Sequence, residues 1–140
     1  MKKFELTAEF VTNIFGKKLF RIKALMAFGN VEEGELGGYV EKESNLDQDG
    51  DAWVSGDAQV SGDADYATIQ GFGRKRRTTT FFRQKDGKIG VKCGCFYGTI
   101  DEFRQKVKET HGSSKHAKEY LMIADLMEMH FEGGEKDEKL

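Results

Sequence analysis

Four side chains in the last third of the chain have a metal-like spacing: Cys93 and Cys95, then fifteen residues, then His111 and His116. Cys-x-Cys followed by His-x4-His is close to a structural zinc pattern, because two thiolates and two imidazoles complete a tetrahedral shell. The cysteine pair departs from it, with one intervening residue where two to four are usual. Two thiols flanking Gly94 on a strand also fit a buried pair beneath a helix, or a reactive redox pair. A disulfide closing so small a ring would be strained, so reduced thiols fit better. Zinc is the weaker reading here, and no cofactor is expected.

A second group is basic. Arg74-Lys75-Arg76-Arg77, with Phe72 before it and Phe81-Phe82-Arg83 after it, joins guanidinium forks to aromatic rings. That pairing suits a phosphate-bearing partner, either a nucleotide ligand or a nucleic acid. A pocket for such a ligand would draw on Arg74–Arg77, Thr78–Thr80 and Cys93-Gly94-Cys95. The same run could be a solvated loop, or a countercharge to the acidic stretch before it. Residues 32–65 hold eleven acidic groups against one lysine, whereas residues 71–93 hold eight basic groups against one aspartate. The formal net charge of −2 hides this separation.

The third group is acidic. Asp51, Asp57 and Asp63 recur at every sixth residue, and a line of carboxylates can imitate a phosphate backbone toward a protein that binds nucleic acid. Aspartates at such corners more often accept backbone N–H groups of the turn. Trp53 and Gln59 hold equivalent outward positions on successive units, so Trp53 would be a contact anchor, or else pack against a cap or another subunit.

The elements that position these groups follow from periodicity. Phe4, Leu6, Ala8 and Phe10 alternate with polar residues, and Gly16-Lys17-Lys18 precedes a second apolar run, which predicts an N-terminal hairpin. Ala52-Trp53-Val54-Ser55-Gly56-Asp57 then repeats as Ala58-Gln59-Val60-Ser61-Gly62-Asp63, with Val40, Leu46 and Ala64 in phase. Ala-x-Val-x-Gly-Asp resembles the hexapeptide repeat of left-handed parallel β-helices. That resemblance implies a coil per three hexads, so five units make under two coils and need caps or a homo-oligomer to cover their ends. Many proteins of that family are acyltransferases with a histidine base, and no histidine lies in residues 1–110.

Asp86-Gly87 between Thr78–Arg83 and Ile89–Cys93 predicts a second hairpin. Thr99-x-x-Glu102 has capping-box spacing, predicting a helix to about Thr110. A further helix from Ser113 or Ser114 carries the stripe Ala117, Tyr120, Ala124, Met127, Phe131. The expected fold is therefore mixed β/α: an N-terminal hairpin cap (1–35), a short left-handed parallel β-helix (36–70), a ββαα segment (71–131) and a flexible tail (132–140). No apolar run approaches a membrane span, and Glu5, Thr7 and Glu9 interrupt any leader-like stretch, so a cytoplasmic protein is expected.

The chain after Phe28 also resembles a group of small phage and prophage proteins. These join Gly-Asp-Ala-x-Val units to a segment like Thr78-Thr79-Thr80-Phe81-Phe82-Arg83, Cys93-Gly94-Cys95-Phe96, Gly98-Thr99-Ile100-Asp101-Glu102-Phe103 and Thr110-His111-Gly112. The resemblance implies a non-enzymatic phage accessory protein acting in the host cytoplasm. Its partner would be a bacterial defence complex, bound in the manner of an anti-CRISPR or other anti-defence inhibitor. The alternatives are a sequestering protein for a nucleotide immune signal and a nucleic-acid-binding module.

Overall fold

The computed structural model describes residues 2–13, 15–62, 65–73, 77–85 and 87–132. At the N-terminus, β1 (Phe4–Thr12) and β2 (Lys18–Ala24) pair antiparallel as the alternation predicts. A register shift between Leu6 and Phe10 breaks the alternation, so Phe4 is buried while Phe10 is 46% exposed. β2 then pairs antiparallel with β3 (Leu36–Val40), and β3 pairs parallel with β4 (Gln59–Val60), giving one sheet in the order β1-β2-β3-β4.

This corrects the expected left-handed β-helix. The only parallel ladder among the described residues is Tyr39–Gln59 and Val40–Val60, and residues 46–58 contain no strand. The physical reason is competition for the backbone of β3: one edge is taken by β2 of the hairpin, so a second coil has nowhere to stack. The degenerate third hexad is lost too, because Tyr66 begins an antiparallel strand of another sheet.

What the six-residue period does mark is depth. Val40, Leu46, Ala52, Val54, Ala58 and Val60 are all buried in one core with Phe4, Ile22 and Trp53. Gly56-Asp57 forms a turn closed by Ala58 N–H donating to Ser55 O at 3.1 Å. Gly37 and Gly38 let β3 press against this segment. A Cβ on Gly37 would stand 2.7 Å from the Trp53 ring, and one on Gly38 2.8 Å from the Ala58 methyl.

The second sheet is antiparallel throughout: β5 (Tyr66–Phe72), β6 (Arg77–Arg83), β7 (Ile89–Cys93) and β8 (Phe96–Thr99), in that order. Helix α1 (Ile100–His111) follows β8 directly, and α2 (Lys115–His130) folds back along it. Both starts are capped. Thr99 Oγ1 accepts Glu102 N–H at 3.2 Å while Glu102 Oε1 accepts Thr99 N–H at 2.8 Å, and Ser114 Oγ accepts Ala117 N–H at 3.3 Å.

The two cores meet at β6 of the second sheet. Phe81 points into the core under the helices, with Phe103, Val107, Tyr120 and Ala124, whereas its neighbour Phe82 belongs to the N-terminal core. Successive strand residues face opposite sides, so Thr79-Thr80-Phe81-Phe82 is buried throughout because both faces are covered. Each fully buried aromatic or aliphatic side chain contributes roughly 1.5–3 kcal/mol of transfer free energy.

Candidate functional site

A cleft of about 300 Å³ opens between the end of α1, the β7–β8 turn, and Gly73 and Arg77 at the neighbouring ends of the β5 and β6 strands. Its walls come from four elements: Arg77 opens β6, Cys93, Cys95 and Phe96 surround the β7–β8 turn, Phe103, Lys106, Val107 and His111 lie on α1, and Tyr120 on α2. The apolar floor is rigid. The Phe103 ring stands 5.9 Å from Phe81, 5.9 Å from Phe96 and 5.7 Å from Tyr120, in edge-on or tilted contacts.

Hydrogen bonds fix the polar rim. Tyr120 Oη donates to Phe72 O at 3.0 Å, tying α2 to the end of β5. Burial, reinforced by Cys93, pushes the Tyr120 phenol up to about 12, so it stays a neutral donor at physiological pH. Thr79 Oγ1 lies 3.2 Å from Cys93 Sγ, and the His111 ring stacks on Tyr120 at 6.1 Å. Arg77 extends across the β7–β8 turn. A Cβ on Gly94 would run into its guanidinium, and φ of +60° there also suits only a residue without a side chain.

The charge of the cleft is uncompensated. Among the described residues neither Arg77 nor Lys106 enters an ion pair, and His111 adds a third basic group. Elsewhere Arg21, Arg83 and Arg104 are each ion-paired. Arg104 meets Asp101, Asp125 and Glu128 at 3.2, 2.8 and 2.8 Å. An apolar pocket with a few convergent, unpaired basic groups is built for an anion carried on a flat apolar body.

The residues singled out from the sequence separate accordingly. Arg77, Cys93, Cys95 and His111 line this cleft. Arg83 faces elsewhere, paired with Asp65 at 3.3 Å and lying 5.2 Å over the Phe131 ring, so here an acidic residue does supply countercharge to a basic one. Arg74, Lys75 and Arg76 lie outside the described residues, as does Asp63. Among the described residues no three His, Cys, Asp or Glu side chains stand where they could share a metal ion; His116 is 6.0 Å ring to ring from His111.

Trp53 is not an exposed anchor. It is 1% exposed, with its ring edge-on to Phe4 and Phe28 at 6.4 and 5.5 Å, because the start of β1 and the residues after β2 fold over that face. Asp51 and Asp57 are exposed. The aspartates that accept backbone N–H groups are Asp47, from Asp49 at 3.0 Å, and Asp65, from Ser61 at 2.9 Å. Sequence reasoning missed Lys106, Phe96, Phe103 and Tyr120 as one wall. The available signal was the position of Lys106 beside the buried Phe103 and Val107 stripe of a helix that starts at a capping box.

The fold and cleft define a two-sheet β/α protein with a small basic, aromatic-floored pocket. The chain matches no family model, no curated protein and no solved structure. No helix among the described residues is long and apolar enough to cross a membrane.

Proposed function

We propose that the protein is a non-enzymatic binding protein that captures a small phosphate-bearing ligand of the nucleotide class in this cleft. In the phage setting suggested by the motif resemblance, it sequesters a nucleotide immune signal. One observation carries the reading: Arg77, Lys106 and His111 line one aromatic-floored pocket, and among the described residues no carboxylate is paired to either Arg77 or Lys106. The phosphate sits against the basic groups and the base covers the Phe96 and Phe103 rings.

Calorimetry with a panel of mononucleotides and cyclic oligonucleotides tests this. The expected result is binding that weakens with salt, and a loss of about tenfold or more for Arg77→Ala and for Lys106→Ala, since hydrogen bonds to charged groups contribute about 1.5–3 kcal/mol. Lys23→Ala, which removes an exposed charge on β2, leaves affinity unchanged. No binding by any phosphate compound overturns the reading.

A second reading, an inhibitor that grips a defence protein, draws on the exposed stripe Met122, Leu126 and Met129 of α2, at 71, 50 and 64% exposure. A stable complex with a defence nuclease that is lost on Leu126→Lys but kept on Arg77→Ala would favour it.

A further inference from the structure

The cleft does not end at Lys106. A second, shallower trough of about 290 Å³ runs on across α1, lined by Phe96, Tyr97, Glu102, Gln105, Lys106 and Glu109. Phe96 and Lys106 line both, so the two adjoin as a groove whose first part carries basic groups and whose second part carries two carboxylates.

The aromatic surface at the junction is held in place. Phe96 packs 5.9 Å from Phe103, and Tyr97 stacks on Phe82 at 6.2 Å while its hydroxyl accepts Gln84 Nε2–H at 2.9 Å. The two carboxylates differ. Glu102 Oε1 is committed to the helix cap through Thr99 N–H at 2.8 Å, whereas among the described residues Glu109 carries only a side-chain contact from Gln105 Nε2 at 3.2 Å on an exposed helix face. Glu109 therefore keeps acceptor capacity toward the groove.

Resting on the nucleotide reading above, we infer that the groove selects a guanine nucleotide, with its phosphate at Arg77, Lys106 and His111, its base over Phe96 and its donor edge at Glu109. Guanine is the nucleobase that presents two adjacent N–H donors on its pairing edge, N1–H and the exocyclic amine, and a carboxylate offers two acceptors to match them. Adenine presents one amine beside a ring-nitrogen acceptor, which a carboxylate repels. Lys106 stands between the two ends and neutralises the approach of phosphate to the acidic half.

The test is calorimetry on the full chain with guanosine monophosphate, adenosine monophosphate and ribose 5-phosphate. Guanosine monophosphate should bind about tenfold or more tighter than adenosine monophosphate, the difference made by charge-assisted hydrogen bonds. Glu109→Gln should collapse that ratio toward one, and Arg77→Ala should weaken both nucleotides alike. Guanosine monophosphate should also slow alkylation of Cys95, which lines the groove and is exposed. Equal affinity for the two nucleotides, or a ratio that survives Glu109→Gln, overturns the guanine assignment and leaves the nucleotide reading standing. Failure of all three compounds to bind overturns the guanine assignment, and the nucleotide reading falls with it if the cyclic oligonucleotides also fail to bind.

Discussion

Lys3 is a charged residue at 2% exposure, and its ammonium donates to Ala52 O at 2.8 Å and lies 4.8 Å over the Phe28 ring. Burial lowers its pKa from 10.5, opposed by the charges of Asp47, Asp51 and Asp49. The folded chain thus releases this proton at a lower pH than the unfolded chain, so unfolding takes up a proton in that window and stability rises as pH climbs toward 10.5. Replacing Lys3 with Met leaves a buried carbonyl without its donor and should cost about 1–3 kcal/mol in urea denaturation at neutral pH. The deficit should widen toward pH 10.5, and a constant or shrinking deficit would count against the lowered pKa. None of this was legible in the sequence, because the burial of Lys3 depends on Ala52 and Phe28 arriving from other parts of the chain. Trp53 is the reverse case: its place in a repeat was legible, but its depth was not, since depth depends on Phe4 and Phe28 arriving from another part of the chain.

Local signals at the level of elements survived where a single segment closes its own hydrogen bonds. The capping box, the turn signal between β6 and β7, whose Asp86 lies outside the described residues, and the stripe Ala117, Tyr120, Ala124, Met127 and Phe131 each specify an element from within; β6 and β7 pair antiparallel, and both helices start at the residues those signals indicate. The hexads failed because Ala-x-Val-x-Gly-Asp encodes inward faces and turns, and both are present, but not which backbone edge a strand will meet. β3 meets β2, and β5 meets β6. Helix α1 places Phe103, Lys106, Val107 and His111 along the cleft, so its first turn matters to the site. Thr99→Ala should lower stability by about 1 kcal/mol, a fall of a few degrees in melting temperature. Because Thr99 and Glu102 cap each other reciprocally, adding Glu102→Ala should cost less than it does alone; strict additivity would show that the two bonds act independently.

Across the whole molecule, the two cores are joined by more than chain continuity. Phe82 of the second sheet is buried in the first core, Trp53 N–H donates to Thr80 Oγ1 at 3.3 Å, and Ala58 bridges Gln84. The single tryptophan lies in the N-terminal core while both helices cover the other face of the second sheet, so each core has its own spectroscopic reporter. Shared burial at β6 means neither core can open without exposing aromatic surface of the other, and the protein should unfold in one step. Tryptophan fluorescence and far-ultraviolet circular dichroism should therefore trace the same urea midpoint. Phe82→Ala should lower that midpoint for both probes together, by about 3–5 kcal/mol, because it empties a site in the first core from a strand of the second sheet. Trp53→Phe should cost less than Trp53→Ala, since it keeps most of the ring and removes an indole N–H that is buried without a partner among the described residues. Separate midpoints in the unaltered protein, or a Phe82→Ala shift confined to fluorescence, would mean that the helical half folds by itself and that the basic cleft owes nothing to the repeat segment.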